Sequence, residues 1–207
     1  MSQVIVPAGL MLGEFHAADA SDEQPEYWHL NVGGYAEQLT ALETTVWAAA
    51  MADPEKQSKL KGTREALRLA LRTRSEAPIS DPEPVIDDLL SRRALAQFDP
   101  TADNLESFGS SHRLLPLGIG LGNTHDDPEN YRIAVAGEAR VSVNGDIYAL
   151  WSNSQHYPNL WESCAAFAKE AFGDGPQPDT NSVLQALAVN IPLLVATEVA
   201  ILAPILD

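Results

Sequence analysis

The 207-residue chain has a single cysteine, Cys164, which excludes an intramolecular disulfide. With histidines only at 16, 29, 112, 125 and 156, it offers no closely spaced ligand set for zinc. Positive charge is scarce: 13 Lys and Arg stand against 29 Asp and Glu, a formal net charge of −16. That balance repels phosphate backbones and disfavours non-specific nucleic-acid binding. The stretch Met1 to Leu12 has neither a positive n-region nor a small-residue cleavage site, so a secretory signal is not expected and a cytoplasmic location is. No GxSxG elbow, P-loop or HExxH occurs. The run Gly118-Ile-Gly120-Leu-Gly122 has GxGxG rather than GxGxxG spacing and reads as a twisted or bulged strand. No cofactor and no metal is expected.

What the chain does have is self-similarity. Val46-Trp47 returns 104 residues later as Leu150-Trp151, and Pro54, Val85, Leu89-Leu90, Ala96 and Pro100 match Pro158, Val189, Leu193-Leu194, Ala200 and Pro204. VPAGLMLG (6–13) likewise returns as LPLGIGLG (115–122), at an offset of 109, and His16 then corresponds to His125. The offset changes across an acidic loop, where length variation is tolerated. An internal duplication follows as the expectation, with a first unit over 1–103, a linker over 104–110 and a second unit over 111–207.

Local patterns give the elements of each unit. A hairpin whose second strand is WHLNVGG or RIAVAG comes first. Thr40 and Glu43 form a capping box for a helix with Leu39, Leu42, Val46, Trp47 and Ala50 on one face. In the second unit Asn144 takes the capping place, and Asn159 with Glu162 opens a further helix to about Phe172, with Cys164 and Phe167 on its apolar face. TREALRLALR (63–72) predicts a second helix in the first unit, and Asp81-Pro82 opens a third, running to about Arg93. ALAQF and EVAIL read as closing strands, and the apolar run 183–206 as a buried helix and strand rather than a membrane anchor. The fold class is therefore α+β: tandem winged-helix-like units, each a β-hairpin, three helices and a short terminal strand.

The order in the first unit, with LTALETTVWAAA, TREAL and then VIDDLLSRRAL, resembles the PqqD-like peptide-recognition domains over roughly Trp28 to Phe98. The resemblance implies a groove between the third strand and third helix that takes an extended peptide by strand addition. On this chain the groove maps to Tyr35–Gln38 and Asp87–Arg93.

Nine of the thirteen basic residues lie between Lys56 and Arg93, and Arg64, Arg68 and Arg72 form an i, i+4, i+8 stripe beside Lys59, Lys61 and Arg74. The stripe has three readings: a recognition helix against DNA phosphates, a dock for an acidic partner or the other unit, and a solvated face paired with acidic residues. Taken together, these features predict a non-catalytic adaptor that recognises a peptide or protein partner through Arg64, Arg68, Arg72, Tyr35, Arg92 and Arg93. The alternatives are a winged-helix DNA-binding regulator using the arginine helix, and an enzyme on an unfamiliar scaffold. Exposed hairpin edges add the expectation of a homodimer.

Overall fold

In the computed structural model, residues 3–18, 25–51, 62–73, 79–172 and 178–206 are described. Lys56, Lys59, Lys61 and Arg74 of the basic strip lie outside them. The fold is mixed α+β. In chain order, β1 (Val4–Pro7), β2 (Leu10–Phe15), β3 (Tyr27–Val32) and β4 (Tyr35–Leu39) lead to α1 (Ala41–Ala49), α2 (Arg64–Thr73), α3 (Glu83–Ser91) and β5 (Leu95–Phe98). Then come α4 (Glu106–Ser111), β6 (His112–Pro116), β7 (Ile119–Gly122), β8 (Asn130–Val135), β9 (Glu138–Asn144), α5 (Gly145–Asn153), α6 (Leu160–Phe172), α7 (Thr180–Ala196) and β10 (Ala200–Pro204).

The expected hairpins are larger than the sequence suggested. VPAGLMLG breaks at Ala8-Gly9 into two strands of different sheets, because Gly9 adopts φ +89°, which turns the chain. A Cβ there would meet the Asn31 carbonyl oxygen at 2.5 Å. β1 pairs antiparallel with β5, and β6 with β10, while β2-β3-β4 and β7-β8-β9 form separate three-stranded meanders. The turns Gly33-Gly34 and Ala136-Gly137 all have positive φ, the geometry that fits the twist of a two-residue hairpin.

Thr40 caps α1, its Oγ1 accepting from Glu43 N–H while Glu43 Oε2 accepts from Thr40 N–H. Asn144 Oδ1 caps α5 in the same place by accepting from Ile147 N–H. Val46, Trp47 and Ala50 are buried as the spacing predicted, but Leu42 points to solvent. Trp47 donates its indole N–H to Ala8 O at 3.1 Å and Trp151 donates to Val199 O at 2.9 Å, so each ring anchors a helix to the sheet region beneath it. The apolar C-terminal run forms α7 and β10, both largely buried. Among the described residues, no helix is long and apolar enough to cross a membrane.

The closing segments correct the 104-residue alignment. Arg93 and Glu198 carry the same positive φ, 57° and 59°. Ala94 N–H donates to Leu89 O, and Val199 N–H to Leu194 O. The landmarks at the end of the third helix thus coincide at an offset of 105, pairing Leu89 with Leu194, and the identities at 104 are one residue out.

The segment read as a linker is folded. Leu105 is buried, α4 packs on α6, and Asn181 accepts from Leu105 N–H while donating to Asp103 O. The β1–β5 sheet joins the two halves: Ile5 and Leu95 belong to the first core, whereas Val4, Val6, Ala96 and Phe98 are buried in the second.

Candidate partner-binding surfaces

The six residues expected to bind a partner occupy four separate settings. Arg64 reaches from α2 to α3, where its Nε donates to Glu83 Oε2 at 2.8 Å and its Nη2 contacts Asp87. The hydrogen bond with Asp87, more than the opposing burial, holds its guanidinium above its ordinary value. Arg68 Nε sits 3.1 Å from Glu83 Oε1, close enough for an ion pair but not aligned as a hydrogen bond. Leu67 and Leu71 turn inward, which fixes the arginines along the α2–α3 seam. Two members of the stripe are therefore neutralised within the fold. Arg72, a turn further on, is exposed.

Arg92 is the centre of a larger network. Its Nε and Nη2 donate to Glu37 Oε2 of β4 at 3.1 and 2.9 Å, its Nη1 to Glu43 of α1 and Asp88 of α3, and its Nη2 to the Gln38 carbonyl at 2.9 Å. Burial pushes the Glu43 carboxyl up, but the hydrogen bonds from Thr40 and the Arg92 charge outweigh it and leave the group below its ordinary value. The network lies where the peptide groove was expected, between β4 and α3. A peptide adding to β4 there has to displace the guanidinium from Gln38 O.

Arg93 turns away, donating from Nη1 to Ile205 O at 2.7 Å and so tying the C-terminal tail to the first half. Tyr35 opens β4 and is 59% exposed. Cys164 is buried in α6, where desolvation pushes its thiol up to about 12 and leaves it a protonated core group at neutral pH. His16 lies 3.5 Å from Glu14, and His125 is exposed in the β7–β8 loop.

A more coherent surface lies on the edge strands of the two meanders. β2 pairs Met11 with Leu30 and Gly13 with His29, leaving Leu12 as the extra residue of a β-bulge. β7 pairs Gly120 with Ile133 and Gly122 with Arg132, leaving Leu121 in the same role. Gly13 and Gly122 follow at φ +112° and +69°. A bulge bends its strand and re-aims a side chain. Here both bulged leucines face solvent, Leu12 56% and Leu121 46% exposed, beside exposed Leu10 and Ile119. Towards the core, Gly120 has no room for a side chain, since a Cβ would meet the Tyr148 hydroxyl at 1.9 Å.

The outer face of the first meander adds Phe15 and Tyr27, stacked at 4.6 Å, with His29 4.8 Å from Tyr27. The matching strand positions of the second meander are occupied by Asn130 and Arg132. Sequence reasoning treated the repeated motif as scaffold and missed these leucines. The usable signal was Leu10-Met11-Leu12, apolar on both strand faces, where a half-buried edge strand alternates. Compared with protein-family models, curated proteins and solved structures, the chain matches none.

Proposed function

We propose that the protein is a non-catalytic adaptor built from two related units, 1–103 and 111–207, that binds a peptide or protein partner. The observation that carries this reading is the pair of bulged leucines. Core packing explains why buried positions recur between two diverged halves, but it does not explain why Leu12 and Leu121 recur as leucines pointing into solvent. The recurring element order and the matching turns of Arg93 and Glu198 support a common origin of the units, and the sequence pattern supports the winged-helix comparison. The duplex-binding alternative is weakened because Arg64 and Arg68 are engaged with Glu83 and Asp87.

The reading is tested by placing a photo-crosslinking amino acid at position 12 or 121 of the full chain in its native cells. One predominant crosslinked protein, recovered from both positions and absent when the probe is at exposed Ala48, is expected. No crosslink from either position, or turnover of a substrate by the purified chain, would refute it. Binding of duplex DNA at low salt that R72E abolishes would restore the alternative.

A further inference from the structure

The proposed adaptor role leaves open what the bulged leucines receive. Acidic residues flank each apolar edge: Glu14 on β2 and Glu26 before β3 stand exposed, as do Asp126, Asp127 and Glu129 after β7. At the other end of β7, Leu117 N–H donates to Val199 O, which places exposed Glu198 beside the start of the strand. Arg132, opposite Gly122 on β8, stands among these acidic groups at the second knob, but they outnumber it, on a chain of formal charge −16. Complementarity calls for a partner whose apolar stripe is bordered by Lys and Arg.

The bulges also constrain the partner's conformation. Strand addition needs an evenly spaced row of free backbone groups, and a bulge in an edge strand interrupts that row and twists the edge away. An amphipathic helix needs no such ladder, because its side chains at i, i+3 and i+4 spacing can straddle a protruding leucine. A second copy of this chain would bring like charge against like charge.

We infer that Leu10 with Leu12 on β2, and Ile119 with Leu121 on β7, form two equivalent docking knobs for a basic amphipathic helix. This inference rests on the adaptor reading and deepens it. The arrangement is bivalent: one chain holds two such helices, or two turns of one partner.

The test uses fluorescein-labelled twenty-residue peptides and the full chain, read by anisotropy. One peptide carries leucine on one helical face and lysine on the other, a second has every lysine replaced by glutamate, and a third alternates leucine and lysine as an extended strand former. The helical lysine peptide is expected to bind, and to weaken as salt rises. Its binding should weaken at least about tenfold in L12S/L121S and recover in L12M/L121M, which restores apolar volume at exposed positions. Circular dichroism melting should be unchanged in both variants. The inference is overturned if the glutamate peptide binds equally, if the alternating peptide binds more tightly, or if the helical peptide binds L12S/L121S as well as wild type. Failure of the helical peptide to bind at all, or a concentration-dependent dimer lost in L12S/L121S, overturns it as well. Crosslinked partner from positions 12 and 121 despite such a failure would leave the adaptor role standing.

Discussion

The two halves use different means to hold one element order. In the second half, α6 and α7 are 13 and 17 residues long, and α7 buries Leu184, Leu187, Ala188, Ile191 and Leu194 in an apolar core. In the first half, α2 and α3 have 10 and 9 residues, and ion pairs from Arg64, Arg68 and Arg92 bridge the gaps between elements. The position of Arg92 in the closing turn is held in the second half by Thr197, whose hydroxyl donates to Leu193 O. Where apolar surface is ample, a small polar residue finishes the helix. Where it is not, a guanidinium ties strand and helices together. Arg64 and Arg68 of the stripe are best understood in this light, as part of the first half's internal framework.

The largest effects should fall where the halves agree. W47A and W151A each remove a buried indole; W47A also takes the indole donor from Ala8 O, whereas Val199 O keeps Leu117 N–H and Gly118 N–H, and each is expected to destabilise by about 3–5 kcal/mol in urea unfolding. A large difference between them would break the equivalence of the two rings. Next, R92A leaves Glu43 partly buried without its cation and should cost about 2–4 kcal/mol, against about 1 kcal/mol for T197A. Equal losses would remove the contrast between ionic and apolar closure. R64A, at a partly exposed seam, should cost only about 0.5–1 kcal/mol and lessen the salt dependence of stability.

Acid should separate the halves by the groups they protonate. Burial holds the His112 imidazole below its ordinary value, opposed by its contact with the Phe108 carbonyl. A depressed histidine binds fewer protons folded than unfolded, so stability is full above the unfolded value of about 6.5 and falls as pH drops below it. Glu43 is lowered as well, so the stability it contributes is present above its unfolded value and is lost as pH falls through the carboxylate range. Amide exchange should therefore accelerate around β6 before it does around α1, and H112N should flatten the first part of that decline. Simultaneous loosening of both regions would contradict the assignment.

Much of this architecture was legible in the sequence. Thr40-Glu43 and Asn144 placed two helix starts, Asn159 and Glu162 a third, and Trp47/Trp151 the core anchors, because caps and large aromatics act locally. The register of α3 against α7 was not, since the identities run at an offset of 104 while the closing turns coincide at 105, and α3 and α7 differ in length, 9 against 17 residues. The partners of the arginines were also hidden. Only the fold brings Glu83 and Asp87 of α3 against α2, and Glu37 against Arg92, 55 residues away. The solvent-facing leucines stood in the repeated motif, and the glycine spacing of Gly118–Gly122 indicated a twisted or bulged strand, as the β7–β8 pairing has it, but one strand's sequence does not say which residue the bulge leaves unpaired and turned outward.

Stoichiometry tests the central claim most directly. Isothermal titration of the full chain with the leucine–lysine helical peptide should give two equivalents per chain, falling to one in L12S and to one in L121S, with none in the double variant. One equivalent that survives either single substitution, or two that survive both, would contradict the claim that the two bulged edges are equivalent binding elements.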